Sequence, residues 1–338
     1  MAARGFAPPP ELLAPRWLAV LVFLGLAGIP FLGGDYWTGQ STRYLCYGLF
    51  AMALSLVWGR GGILCFGQAI FFGMGGYAMA ALTKHMGPDW LAGSLPALGI
   101  AVRLPGLAAA AIGYFLFWGR GLVGPYLAIV TLALSIIGER LMVNWYAMGG
   151  FNGLLDVPVF SLGIPGFMPD TQSPLPMFYL LLGVAAVVYL AIDRLLLSPF
   201  GILLTALRDN PRRAEFFGYE ILPPKLEIFV LGAGLSGLAG GFFVAVDGFA
   251  SPTLLGSGLS TEVLIWVALG GRGMPLAAFL GAIATRLIEA ELAESLGDYW
   301  PLALGLLFMA SVVLLPQGLI ATPIGCLSGR RAPPPATK

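Results

Sequence analysis

Long apolar runs alternate with short polar segments along almost the whole chain. A helix that crosses a bilayer needs roughly 20 predominantly apolar residues, with a range near 17–25. The pattern therefore predicts an all-α integral membrane protein with about ten transmembrane helices, some of them short or broken. The ten predicted spans are residues 17–33, 43–58, 66–83, 93–118, 121–142, 177–193, 226–247, 255–270, 275–289 and 299–316.

One pair of predicted spans is joined by a glycine break. In STEVLIWVALGGRGMPLAAFLGAIATRLIEA, residues 260–290, the sequence Gly-Gly-Arg-Gly interrupts the apolar run. Glycine weakens a helix, so we expect one span to end here, Arg272 to lie in the turn, and a second span to return. Arg286 and Glu289 are one helical turn apart near the end of that second span, so we expect them to pair.

Residues 55–82 resemble this broken segment weakly. Both segments contain a Trp-bearing span, a Gly-Arg-Gly turn and a span rich in small residues. Paired broken segments in the two halves of a chain are the usual sequence sign of a transport pathway. Because Gly and Ala are common in membrane helices, chance similarity is the alternative explanation of this weak internal repeat.

Two connecting segments are long. Residues 143–176 are rich in Gly and Pro with little helical periodicity, and we expect an ordered cap or a docking surface there. Residues 194–225 mix charged and apolar side chains instead. They predict a short amphipathic helix near 200–209 and a second one at 211–217, for which Asn210 is the N-cap.

The composition supports the membrane class and excludes several others. Hydrophobic residues make up 58% of the chain and charged residues 10%, and the mean hydropathy is +0.87. A soluble domain has roughly 25% charged residues. A net charge of +1 argues against nucleic-acid binding. Three distant cysteines and a single histidine argue against a disulfide framework and a histidine-based metal centre, so we expect no cofactor in this chain.

The distribution of positive charge predicts the orientation. With ten alternating spans, 13 of the 18 Lys and Arg residues fall on the side of the N-terminus, four on the opposite side, and Arg103 within a span. The positive-inside rule then places both termini in the cytoplasm. The predicted organisation is an N-terminal tail at 1–16, one transmembrane permease domain at 17–322, and a C-terminal tail at 323–338. The Pro-rich head favours a first span over a signal peptide.

Two short motifs are better explained by packing than by chemistry. GAGLSG, residues 232–237, fits a dinucleotide-binding pattern, but the apolar run continues through it, so close helix contact is the favoured interpretation. Its GLSG portion also matches a motif of intramembrane serine proteases. His85 is the only histidine and lies upstream at a predicted helix end, so Ser236 lacks an activating base and we predict no enzymatic activity.

Several motifs together resemble one transporter family. SPFGILLTALRDNPRRAEFFGYEILPPKLEIFVLGAGLSGLAGGFF, which begins at residue 198, is similar to the coupling region of permeases in ABC importers for branched-chain amino acids and urea. GQAIFFGMGGYAMAAL (67–82), PYLAIVTLAL (125–134) and GGFNGL (149–154) resemble further motifs of that family, in the family's order. The resemblance covers roughly residues 40–322. Its last third, with STEVLIWVALGGRG and DYWPLALGLLFMASVVLLPQGL, is closer to the urea-type branch. The chain departs from the pattern at Arg103, which interrupts a normally apolar span, and at Gln68, where His is expected in much of the urea branch.

The resemblance implies a multi-subunit importer in the bacterial inner membrane. The implied partner within the lipid bilayer is a second homologous permease. Outside the bilayer, the implied partners are two cytoplasmic ATPase subunits, which bind ATP and Mg²⁺, and a periplasmic solute-binding protein. This chain has no Walker-type phosphate loop, which agrees with ATP hydrolysis on separate subunits. The residues expected to contact the ATPase are Arg208, Asp209, Arg212, Glu215, Phe217 and Gly218.

The expected substrate is urea, with branched-chain amino acids as the alternative and a passive small-solute channel as a second one. Intramembrane polar groups are default site candidates because unmatched polar groups are costly in hydrocarbon. The residues expected to line the pathway are Gln68, Thr131, Asn152, Glu262 and Trp266. Helix–helix hydrogen bonding is the competing explanation for each polar member, and is at least as good for Thr131.

Overall fold

The computed structural model describes residues 15–86, 94–118, 124–158, 160, 174–299, 302, 305–306, 309 and 318–327. These residues are almost entirely helical, which confirms the predicted all-α class. The α-helices are α1 Arg16–Ala27, α2 Ile29–Leu54, α3 Gln68–Met86, α4 Leu95–Phe117, α5 Pro125–Asn144, α6 Leu175–Leu197, α7 Pro199–Asp209, α8 Pro211–Phe216, α9 Leu222–Asp247, α10 Ser257–Gly270, α11 Pro275–Leu296 and α12 Ala321–Leu327. A π-helical turn, Ser55–Arg60, extends α2.

Helix α9 is the centre of the bundle. It packs against α3 and α4 and also contacts α2. Small residues allow this close approach: a Cβ added to Gly240 would overlap the carbonyl oxygen of Phe72, and one added to Gly75 would overlap that of Gly237. GAGLSG is thus part of a helix-packing face, as expected for small residues in membrane helices.

Length and apolar composition together divide the described helices into full spans and a broken pair, the mixture that the sequence predicted. Four described helices satisfy both criteria, namely α4, α5, α6 and α9, and the α10–α11 pair satisfies them as one unit bent by 117°. With 14 residues, α10 alone is about 21 Å long, which is short of a hydrocarbon core of about 30 Å. Most of the predicted span 299–316 lies outside the described residues.

The predicted first span, 17–33, ends at a break in the helix. Gly28, between α1 and α2, keeps helical dihedral angles, and residues Arg16–Phe31 form an apolar helical stretch that is shorter than a full span. The backbone leaves the helical conformation at Gly34, where φ is +66°. The Gly33–Gly34 pair is the sequence feature that accounts for this break.

The two long connecting segments differ in local structure where they are described, and the second has the two helices that the sequence predicted. In the first, 3₁₀ turns at Tyr146–Met148 and Gly150–Asn152 precede an antiparallel bridge between Leu154 and Ala250, with N–H···O distances of 2.9 and 3.0 Å. The second contains α7 and α8. As predicted, Asn210 caps α8: its side-chain oxygen accepts a hydrogen bond of 3.1 Å from the Arg213 amide.

Candidate transport site and coupling segment

A charged cluster joins the two helices of the bent pair. On α11, Arg286 donates from Nη1 to Glu289 Oε2 at 2.8 Å and to Glu262 Oε2 on α10 at 3.4 Å. The predicted pairing of Arg286 with Glu289 is therefore confirmed, and Glu262 is a second carboxylate on the same guanidinium. The three side chains are 22%, 11% and 30% exposed, in the order Arg286, Glu289, Glu262.

Two aromatic rings flank the guanidinium of this cluster on one side, and the rings are in edge contact with each other at a centroid distance of 5.1 Å. The Arg286 Cζ lies 4.4 Å from the ring centroid of Tyr47 on α2 and 5.5 Å from that of Trp266 on α10. Nη2 of Arg286 also donates to the Tyr47 hydroxyl at 3.2 Å. Trp266 is fully buried, and its Nε1 has no hydrogen-bond partner among the described residues. We call Tyr47, Glu262, Trp266, Arg286 and Glu289 the arginine cluster.

The arginine cluster contains groups that can bind both a negatively charged and a positively charged group of a ligand. Two carboxylates share one cation, and the 3.4 Å contact to Glu262 is the longer of the two. A guanidinium presents five donors in a planar fork that matches a carboxylate. An incoming carboxylate can therefore compete with Glu262 for Arg286, which leaves the Glu262 carboxylate available to a cation.

Gln68, a predicted pathway residue, links two helices. It is completely buried, and its Nε2 donates to Ser236 Oγ on α9 at 2.8 Å. Ser236 Oγ in turn donates to the Gly232 carbonyl at 2.9 Å, the backbone bond that a buried serine in a helix ordinarily makes. Gln68 Oε1 has no hydrogen-bond partner within the described part of the chain. The pair holds α3 against α9, which is the competing explanation given above for Gln68.

The remaining predicted pathway residues, Thr131 and Asn152, lie on elements that carry no member of the arginine cluster. Thr131 on α5 is buried, donates to the Leu127 carbonyl at 2.9 Å, and accepts from the Phe66 amide at 3.1 Å, so it positions the segment before α3. Asn152 is exposed in its 3₁₀ turn. Arg103 is also exposed, on the face of α4 that carries Leu104 and Leu107.

The predicted coupling residues divide into two groups. Arg212, Glu215, Phe217 and Gly218 are exposed on or just after α8, and the Phe217 side chain is 82% exposed. Arg208, in contrast, points into the protein: Nη1 donates to the Gly59 carbonyl at 2.8 Å, and Nη2 contacts Asp209 at 2.9 Å.

The two Gly-Arg-Gly turns of the weak internal repeat touch each other. A Cβ added to Gly59 would overlap the carbonyl oxygen of Arg272, so the two backbones are in direct contact there. The Arg272 Cζ lies 5.9 Å from a ring centroid of Trp58. The two segments that are similar in sequence therefore meet at their equivalent turns.

The chain belongs to the branched-chain amino acid transport system / permease component family, which matches residues 39–315. It is thus a transport component and not an enzyme, as predicted. It is 32% identical over 327 residues to the "High-affinity branched-chain amino acid transport system permease protein LivM" of Escherichia coli strain K12, covering 90% of this chain and 74% of the relative.

Other relatives carry the same description. LivM of Salmonella typhimurium is 31% identical over 327 residues, which again cover 90% of this chain and 74% of the relative. A probable branched-chain amino acid transport permease protein LivM of Methanocaldococcus jannaschii is 26% identical over 275 residues, or 72% of each chain. No solved structure is significantly similar to this chain.

Sequence reasoning missed one member of the arginine cluster entirely and undervalued another. Tyr47 lies in an apolar stretch of α2 with no motif around it, and nothing local in the sequence indicates its contact with Arg286. Arg286 was expected at a rim, paired with Glu289 alone. The Glu262 contact spans 24 residues and a 117° bend, so local spacing does not indicate it.

Proposed function

We propose that the chain is the permease subunit of an ATP-binding-cassette importer for branched-chain amino acids in the bacterial inner membrane. The family description and the names of the relatives support the amino-acid substrate and do not support urea, so the alternative of the sequence analysis is favoured. The observation within this chain that carries the proposal is the contact of Arg286 with Glu262 beside the Tyr47 and Trp266 rings.

The fixed charges favour a zwitterion over a neutral solute. Urea has no charge to balance, so a pathway for it needs hydrogen-bond acceptors and few ions. An amino acid brings a carboxylate for Arg286 and an ammonium for Glu262, and exchanging one ion pair for two keeps every charge compensated. The apolar flank formed by Tyr47 and Trp266 suits an aliphatic side chain.

The proposed assembly is the one that the sequence implied. A second permease completes the pathway in the membrane, two ATPase subunits dock on the cytoplasmic side, and a periplasmic binding protein delivers substrate. The exposed aromatic and charged residues of α8 supply the docking surface for the ATPase, because apolar side chains beside charges suit a protein groove. In this orientation both termini are cytoplasmic.

Uptake into proteoliposomes that contain the complete complex tests the proposal. We expect labelled leucine to accumulate only with ATP and binding protein present, and labelled urea not to accumulate. Accumulation of urea but not leucine would restore the urea assignment, and entry of leucine without ATP would establish a passive channel instead. Complex without the binding protein is the control for leakage.

A further inference from the structure

We infer that Arg208 is a positioning residue that links the coupling segment to the arginine cluster through the contact between the two Gly-Arg-Gly turns. The inference rests on the proposed function, because it concerns how movement imposed by the ATPase reaches the pathway. It assigns to Arg208 a role inside the permease, in place of the expected contact with the ATPase.

The first link runs from α7 to the turn after α2. Arg208 stands in the last turn of α7, and its Nη1 donates to the Gly59 carbonyl at 2.8 Å. Gly62 has a φ of +66°, and a Cβ added there would lie 2.9 Å from Arg208 Cγ. The turn therefore fits closely around the Arg208 side chain. Gly62 adopts a left-handed conformation there, and the absence of a Cβ leaves room for the methylene groups of Arg208.

The second link is contact between two backbones. The backbone of Gly59 packs directly against the Arg272 carbonyl, with no room for a side chain between them. The Trp58 ring also lies beside the Arg272 guanidinium. Flexible side chains absorb small displacements by changing rotamer, whereas two touching backbones do not. A displacement of the first turn is therefore passed directly to the second.

The third link fixes the other side of the Arg272 turn. The Leu319 amide donates to the Leu269 carbonyl at 2.7 Å, and a Cβ added to Gly318 would overlap Gly271. Gly318 has a φ of +96° and Gly271 one of +132°, so both use conformations that glycine adopts readily. The break between α10 and α11 is thus enclosed by Gly59 on one side and Gly318 on the other.

The geometry of the arginine cluster shows which contact such a movement would change. Arg286 and Glu289 are three residues apart on one helix and move together. Glu262 lies on the other arm of the bend, eight residues or about 12 Å from Gly270 along α10. A change in the bend therefore alters the Arg286–Glu262 separation and leaves the Arg286–Glu289 pair intact, which would open or close the cluster to substrate.

The test compares Arg208→Gln and Arg208→Lys with Arg194→Gln in the complete reconstituted complex. Arg194 is exposed in the last turn of α6, outside the docking surface on α8, and is the matched control. We expect Arg208→Gln to assemble with its partners and hydrolyse ATP at the basal rate, but to show leucine uptake reduced at least tenfold. Arg208→Lys should regain part of that uptake, because its longer side chain can still bring a donor to the Gly59 carbonyl. Arg194→Gln should behave as wild type.

Three results would overturn the inference. Wild-type uptake by Arg208→Gln would show that the bond to Gly59 is dispensable. Failure of Arg208→Gln to co-purify with the ATPase would restore the expected docking contact. An equal loss in Arg208→Lys, together with a lowered melting temperature in both, would indicate a structural role. Failure of the proposed function is distinguishable, because the wild-type complex itself would then not accumulate leucine.

A glycine substitution supplies an independent measurement. Gly59→Ala should lose uptake while basal ATP hydrolysis persists, because the added methyl separates the two turns. Gly99→Ala on α4 is the control, since no atom lies within 4 Å of a Cβ there. Full uptake by Gly59→Ala would contradict the inference, and if this variant does not fold, the Arg208 series decides the question.

Discussion

The Arg286 guanidinium lies 4.4 Å from the ring centroid of Tyr47, and it also donates to the Tyr47 hydroxyl at 3.2 Å. This relationship ties α11 to α2 across 239 residues of sequence. It also places a cation on the electron-rich face of a ring, where the attraction is worth about 2 kcal/mol or more when water is excluded. Arg286 is therefore held by the scaffold before any substrate arrives.

Removing the Tyr47 ring should weaken transport more than removing its hydroxyl. Tyr47→Leu loses the cation–π contact and the hydrogen bond, and we expect leucine uptake to fall roughly tenfold, which corresponds to about 1.4 kcal/mol. Tyr47→Phe keeps the ring and loses only the 3.2 Å bond, so its loss should be smaller. Initial rates of uptake measure both, and identical rates in the two variants would contradict the role given to the ring.

The two carboxylates of the arginine cluster should have different effects when neutralised. Glu262→Gln removes the proposed ammonium acceptor, and we expect the leucine concentration for half-maximal uptake to rise about tenfold, a loss of about 1.4 kcal/mol. Glu289→Gln weakens the closer, more buried pair, so its main effect should be a lower melting temperature. A concentration series on both variants, with thermal unfolding in detergent, checks the distinction. The reverse pattern would exchange the two roles.

Close contact at Gly240 should make that position intolerant of a side chain. Gly240→Ala places a methyl against the Phe72 carbonyl, and we expect a destabilisation of about 1–3 kcal/mol as α3 and α9 are pushed apart. Gly183→Ala on α6 is the matched control, because its Cβ would meet no atom within 4 Å. Thermal unfolding in detergent compares them, and equal melting temperatures would argue against the packing described here.

Ser236→Ala separates the structural explanation of GLSG from the enzymatic one. The change leaves the Gln68 amide without its acceptor, and we expect a modest loss of stability of about 0.6–1.7 kcal/mol. Leucine uptake should be retained when assayed well below the melting temperature. Complete loss of activity at unchanged stability would show that Ser236 has a direct chemical role.

Charge reversal on α8 tests the docking surface. Arg212→Glu combined with Glu215→Arg reverses two exposed charges, so the fold of the permease should be unaffected. We expect leucine-stimulated ATP hydrolysis to be abolished while the affinity for the binding protein is unchanged. Unaltered stimulation would place the ATPase contact elsewhere. The Arg194→Gln variant, on α6, controls for a general change of surface charge.

Local signals in the sequence predicted local structure well. Asn210 followed by Pro211 predicted the start of α8, and the Gly-Gly-Arg-Gly sequence predicted the break between α10 and α11. Both depend on backbone properties of a few neighbouring residues, which a sequence displays directly. The similarity of residues 55–82 to 263–287 also had a structural meaning, because the turns of the two segments meet at Gly59 and Arg272.

Relationships between distant residues were not predictable in the same way. Nothing local in the sequence indicated the bond from Arg208 to the Gly59 carbonyl, because the two residues are 149 positions apart. The bond from Gln68 to Ser236 was equally hidden, because the two side chains belong to different helices. Hydropathy measures only how apolar a run is, so it did not indicate the break at Gly34.

The most direct test of the arginine cluster as part of the substrate pathway is ATP-driven leucine uptake by Arg286→Lys, compared with Arg43→Lys. Arg43 pairs with Asp247 at 3.1 Å between α2 and α9 and is the matched control. Both substitutions keep the charge, but a lysine cannot present the planar fork of donors with which Arg286 contacts two carboxylates and the Tyr47 hydroxyl. We predict uptake reduced at least tenfold in Arg286→Lys and near wild type in Arg43→Lys. Equal uptake in the two variants would contradict the account.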